Sequence, residues 1–105
     1  MYDKPQISVI IAASNNAEHI GECLDSILCQ SFQTVEVIVV DVCSTDGTKE
    51  ILAELAKEDD RVVFLADSME SKGHAKNMGM NHARAPYLLF VEPEDYLYRN
   101  SLEYM

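Results

Sequence analysis

Three carboxylates, Glu92, Glu94 and Asp95, fall within four residues directly after the apolar run Tyr87-Leu88-Leu89-Phe90-Val91. Like charges held that close repel unless a cation, a hydrogen-bond donor or a raised pKa relieves them. A divalent metal with hard oxygen ligands is the relief that would do chemistry. The bland alternative is a solvated turn whose acids favour the start of the next helix. Two other apolar runs also close on polar groups: Ile7 to Ala13 on Ser14 and Asn15, and Val35 to Val40 on Asp41 and the turn Ser44-Thr45-Asp46. Short apolar runs read as strands buried on both faces, and open α/β sheets bind ligands outside the carboxyl ends of such strands. All three polar groups are therefore expected at one mouth.

Other reactive side chains carry weaker signals. An acid that ends a strand often pins the following turn through backbone N–H groups, which is the reading for Asp41, and Asp46 is read as a helix cap. His19, His74 and His82 have no mutual metal spacing. His19 is expected at the surface, His82 in helix packing, and His74, just after Gly73, nearest the cleft. Cys23, Cys29 and Cys43 are odd in number and lack the spacing of a zinc site. Cys23 and Cys29, six apart on one helix, point to different faces, and Cys43 is read as a small space-filler. A reducing cytoplasm is the expected compartment, with any membrane attachment supplied by residues outside this sequence.

The elements that must position these groups follow from periodicity. Residues 7–13 form the first strand. Ser14-Asn15-Asn16 offers caps, with Asn15 and Glu18 at capping-box spacing, to a helix carrying Ile20, Leu24, Ile27 and Leu28 and ending near Gln30. Residues 35–41 form a second strand. A helix with Ile51, Leu52 and Leu55 on its buried face follows it, and residues 61–66 form a third strand. The polar stretch from Asp67 to Gly73 reads as a loop. A helix over 74–84 then presents Ala75, Met78, Gly79 and His82 on one face and stops before Pro86. Residues 87–91 form the fourth strand. This βαβαβαβ order, with no fixed-period repeat, predicts a three-layer, doubly wound, mostly parallel four-stranded sheet with helices on both faces. If the order reverses beside the first strand, strands one and four become neighbours flanking the cleft.

The chain has 105 residues, enough for one small domain but too few for a nucleotide site plus a separate substrate domain. Apolar residues make up 48% and charged residues 25%, which excludes a disordered chain. The run Arg99 to Met105 reads as the opening of a helix with no terminating signal, so a truncated domain is expected, its bared apolar surface open to self-association. A net charge of −10 repels nucleic acid and anionic membranes over a Debye length of roughly 8 Å, so no nucleic-acid partner is expected. It does not exclude a nucleotide whose phosphates a bound Mg²⁺ or Mn²⁺ bridges to carboxylates.

Several motifs occur together in order. They are Ile7-Ser8-Val9-Ile10-Ile11, Asn15, the helix end from Cys23 to Phe32, Val39-Val40-Asp41 with Ser44-Thr45-Asp46-Gly47-Thr48, Lys76-Asn77-x-Gly79, and Tyr87 through Asp95-Tyr96-Leu97. Over about residues 7–97 the chain resembles the family 2 glycosyltransferases, specifically the nucleotide-sugar-binding first half of their GT-A (Rossmann-like) fold. The resemblance implies transfer of a sugar, with inversion, from a nucleotide-sugar donor, usually a UDP-sugar, to an acceptor hydroxyl, with Mg²⁺ or Mn²⁺ on the diphosphate. Carried over by position, Ala12, Ser14, Asp41, Val42, Gly73 and Lys76 would border the nucleotide. Glu92 would lie at the diphosphate, and Glu94 and then Asp95 would hold the metal. The acceptor half and the catalytic base would lie beyond Met105, leaving no catalytic residue here.

The departures from the family pattern are specific. Ala12-Ala13-Ser14-Asn15 replaces Pro-x-Tyr-Asn, Asp41-Val42-Cys43-Ser44 replaces Asp-Asp-Gly-Ser, Glu92-Pro93-Glu94 replaces Asp-x-Asp, and Lys76-Asn77 replaces Arg-Asn. Valine cannot accept the base's N–H, and a lost buried hydrogen bond costs on the order of 1–3 kcal/mol, so weakened or redirected base recognition is expected. The alternative is a degenerate, non-catalytic binding or assembly module of the same fold. A phosphoacceptor receiver domain also has acids at strand ends, but it expects an acidic pair where this chain has Ser14-Asn15.

Overall fold

The computed structural model describes residues 5–29, 35–67 and 72–91. Four strands, β1 (Ile7–Ala13), β2 (Val35–Val42), β3 (Val62–Asp67) and β4 (Tyr87–Phe90), alternate with three helices, α1 (Ile20–Leu28), α2 (Thr48–Glu58) and α3 (Lys72–His82). The sheet order is β3-β2-β1-β4 and every pairing is parallel. The chain therefore winds from β1 out to β3 and returns across the sheet to place β4 on the other side of β1. Right-handed crossovers then put α1 and α2 on one face and α3 on the other. The predicted architecture and the reversal beside the first strand are both present.

The two faces have separate cores. β1 and β2 are buried at every position, as β-branched strands covered on both sides should be. Val9, Ile11, Val37 and Val39 meet Ile20, Leu24 and Ile27 of α1 and Leu52 of α2. On the opposite face Ala12, Ile38, Val40 and Val42 meet Ala75 of α3, with Val63, Leu65, Met78 and Ala83 packed around them. At Gly79 the helix backbone comes so near the sheet that an added Cβ would sit 2.7 Å from Ile10 Cγ2.

Several boundaries depart from the sequence expectations. α1 begins at Ile20 and not at the Asn15 cap, because Asn15 takes a left-handed φ of 54° and its side chain is used elsewhere; the turn Asn16–Ile20 leads into the helix instead. Gln30, its expected end, lies outside the described residues, and Leu28 is the last helical residue. α3 opens at Lys72, so Gly73 sits in its first turn and not at the end of a loop. His82 is exposed at the last residue of α3 with Nδ1 3.1 Å from the Met78 carbonyl, so it does not pack between elements. Cys43 is exposed and fills no space, while Cys23 is buried and Cys29 exposed, as their six-residue spacing predicts. β4 is parallel as expected but is an edge among the described residues, with Tyr87, Leu88 and Phe90 exposed. An apolar run reports strand character but not which neighbours cover it. No described helix is long and apolar enough to cross a membrane.

Candidate functional site

The two loops that leave the carboxyl ends of β1 and β2 are built against each other. Ala13 and Asp41 are register partners, so the loops start side by side. The Asn15 N–H donates to Ser44 Oγ at 2.9 Å, and Asn15 Oδ1 accepts the Thr45 N–H at 2.8 Å. The Asn16 N–H donates to Thr48 Oγ1 at 3.0 Å and the Ala17 N–H to Asp46 Oδ2 at 3.2 Å. Within the first loop the Ser14 N–H reaches Asn16 Oδ1 at 2.7 Å. Loop backbone cannot satisfy itself as a helix does, so each donor here is received by a side chain from the neighbouring loop or its own. Asn15 and Cys43, at φ 54° and 51°, make the reversals that bring the donors round.

Asp46 caps α2 from one residue outside its Gly47 N-cap position: Oδ1 accepts the Thr48 N–H at 3.1 Å and the Thr48 hydroxyl. The Thr48 hydroxyl bond, opposed in part by burial and helped by the Ala17 and Thr48 backbone N–H groups, holds its carboxyl below the usual aspartate range. The expectation of a cap is met, with a second duty across the loops. Asp41 is fully buried, and its Oδ2 accepts the Ser44 N–H at 3.2 Å, which is the expected pin on the turn. Its Oδ1 is buried with no hydrogen-bond partner among the described residues.

The remaining expected nucleotide contacts divide by place. Ser14 is half-buried at the mouth beside Asp41's turn. Ala12 and Val42 are 3% and 4% exposed and belong to the α3-side core just below it. Gly73 is exposed and Lys76 half-buried in the first two turns of α3, which starts from the carboxyl end of β3 and so at the same mouth. Lys76 Nζ lies 5.8 Å from the centre of the Phe90 ring, within cation–π reach of the end of β4. The Val91 N–H donates to the Ile10 carbonyl at 3.1 Å, so β4 runs beside β1 toward these loops.

Glu92, Glu94 and Asp95 lie outside the described residues. Among the described residues no group of three His, Cys, Asp or Glu side chains could hold a metal ion. The hard oxygen donors of Glu94 and Asp95 suit a divalent cation, and those two are the residues that would hold it.

Sequence reasoning missed the roles of Asn15, Asn16 and Thr48 as cross-loop ties. Its one available signal was a pair of asparagines where a strand ends, since Asn tolerates the left-handed region. It also missed Glu36 and Ser8, polar residues buried within apolar strands; Glu36 Oε1 and Oε2 bind Arg84, and Ser8 bonds Glu36 at 2.6 Å.

Comparison with known proteins agrees with this geometry. The family described as Glycosyl transferase family 2 matches residues 8–105. The glycosyltransferase GlyG of Streptococcus pneumoniae serotype 4 is 37% identical over 100 residues, covering 92% of this chain and 33% of that protein. The glycosyltransferase GlyA of the same organism is 31% identical over 98 residues, covering 93% of this chain and 14% of that protein. The chain thus spans a third or less of the length of these two relatives. Among solved structures, S. aureus TarS residues 1–349 in complex with UDP superpose with a TM-score of 0.85 at 29% identity, over 93% of this chain and 30% of that one. The mannosyltransferase PcManGT from Pyrobaculum calidifontis, in complex with GDP-Man and Mn²⁺, gives 0.84 at 27% identity, over 93% and 30%.

Proposed function

The chain belongs to glycosyl transferase family 2, and from that premise we propose that it is the donor-binding portion of a glycosyltransferase that moves a sugar, with inversion, from a nucleotide-sugar to an acceptor hydroxyl. The observation that carries the reading is the pair of interlocked loops at the carboxyl ends of β1 and β2, with β4 entering the same mouth. A UDP-sugar is the favoured donor, supported by the TarS complex with UDP, and the PcManGT complex with Mn²⁺ supports a divalent cation on the diphosphate. When bound, that cation would offset the charge of the leaving diphosphate. This chain's own part is to seat the nucleoside between rigid loops and to bring carboxylates to the phosphate end.

A second reading, a non-catalytic binding module, is favoured by one placement. Val42 is a core residue packed near Ala12, Val40 and Ala75, so its side chain offers a base no polar atom. Calorimetry with UDP and GDP in the presence of Mn²⁺ separates the two readings. The transferase reading expects saturable nucleotide binding, weakened for UDP by about one to two decades relative to family members that carry a carboxylate at the position of Val42. No binding of either nucleotide favours the module, and UDP binding as tight as in those members refutes the role given to Val42.

A further inference from the structure

β4 is poorly held by its own side chains. Among the described residues its four residues pair with β1 alone, and Tyr87, Leu88 and Phe90 are exposed. The connection before it is held by other means. Ser8 and Glu36 are register partners on β1 and β2, so both side chains leave the same face of the sheet, the one that α3 covers. Both are buried there. Ser8 Oγ donates to Glu36 Oε2 at 2.6 Å, the Arg84 N–H donates to the same oxygen at 2.7 Å, and Arg84 Nε donates to Oε1 at 3.1 Å. The Ala85 N–H completes the set on Ser8 Oγ at 3.2 Å. Two successive backbone donors of the α3–β4 connection therefore end on two buried side chains.

Resting on the donor-site reading above, we propose that Glu36 is a positioning residue that fixes the register of β4 on β1 and with it the strand end, Phe90 and Val91, at the mouth. A buried carboxylate is an expensive way to hold a strand if holding is all that is needed, since an apolar residue of similar size often does as well. What it supplies that valine would not is a fixed pair of acceptors for two particular N–H groups. A slip of β4 by one residue would move its end at Val91 by about 3.3 Å along β1 and turn every β4 side chain to the other face. The short, exposed strand has little apolar burial to oppose such a slip. Glu36 and Ser8 oppose it, because the slip would strip both acceptors of their donors.

Hydrogen exchange read by mass spectrometry on the protein and its Glu36→Gln variant tests this, with Leu55→Ala as a control that loosens α2 without touching the network. The expected result is that peptides covering 87–91 exchange about tenfold faster or more in Glu36→Gln, relative to β2 and β3, and show no such selective rise in Leu55→Ala. A uniform rise, or none, overturns the proposal. Should Glu36→Gln not fold, Arg84→Ala, whose side chain is 64% exposed, removes only the Nε arm; a selective rise of about threefold is then expected, and its absence overturns the proposal. In Mn²⁺ titrations the folded variant should bind at least threefold more weakly than wild type, and equal binding overturns the link to the site. Wild-type protein that binds no Mn²⁺ sinks the donor-site reading itself, whereas the exchange pattern decides the placement of β4 independently.

Discussion

Cys43 shows how one residue can carry a backbone demand that its type does not advertise. Its φ of 51° is a left-handed conformation, which costs an L-residue roughly 1–2 kcal/mol and glycine almost nothing. The family pattern places glycine at this position, and the geometry gives the reason. Glycine in turn loses more freedom on folding, about 0.4–1 kcal/mol. Cys43→Gly should therefore raise stability by a net of about 0.5 kcal/mol, read as a higher urea midpoint; a lower midpoint would mean that the contacts of the thiol outweigh the strain. Asn15, at φ 54°, meets the same demand with a residue that tolerates it, and its Oδ1 also receives Thr45. From sequence, Asn15 could be read as a helix cap or as a turn residue with equal ease. The two roles use the same side-chain oxygen, and only the neighbouring loop, 30 residues away, decides between them.

At the level of elements, the regular parts were legible and the joints were not. Hydrophobic period alone gave seven elements in the right order, because β1 and β2 are covered on both faces and α1 on one. It could not show that the approach to β4 is fastened by polar groups, nor that α3 presses its glycine on the sheet. The two helical glycines separate packing from propensity. Gly21→Ala, with nothing within 4 Å of the new Cβ, should stabilise α1 by about 0.5–1 kcal/mol. Gly79→Ala should instead destabilise by about 1–3 kcal/mol through its clash with Ile10, despite the same gain in propensity. Thermal melts of the two variants moving in the same direction would contradict this packing. The Glu36 network makes a pH-dependent joint. Burial pushes Glu36 up, but the bonds from Ser8 and from the Arg84 backbone and side chain outweigh it and hold the carboxyl below its ordinary value of 4.5. The unfolded chain takes the proton first, so this stability is complete above about pH 4.5 and is lost as pH falls through the lower folded-state value. Urea midpoints of Glu36→Gln should be lower than wild type at pH 7 and should fall less steeply below pH 4.5. Parallel acid limbs in the two proteins would assign the acid sensitivity to other groups, of which Asp59, held low by its Arg61 bond, is one.

For the whole molecule, the decisive fact is the sheet order, which brings the ends of β1, β2 and β4 to one edge. It was legible in advance because four strands alternating with helices leave few right-handed arrangements, and the reversal beside β1 is the one that makes strands one and four neighbours. The carboxylates that follow β4 gain their meaning from that order. A chain of net charge −10, three of whose carboxylates follow directly after Val91, should repel a nucleoside diphosphate, so the charge that suits a diphosphate with a cation disfavours one without it. Chelation separates these states. With Mn²⁺ present, UDP should bind measurably by calorimetry; with EDTA in excess the affinity should fall at least tenfold, about 1.4 kcal/mol, while the fold persists because no described residue group depends on a metal. UDP affinity that is indifferent to EDTA would mean that the acids after Val91 are a solvated turn, and the loops of β1 and β2 would then have to hold the nucleotide against the charge of the chain on their own.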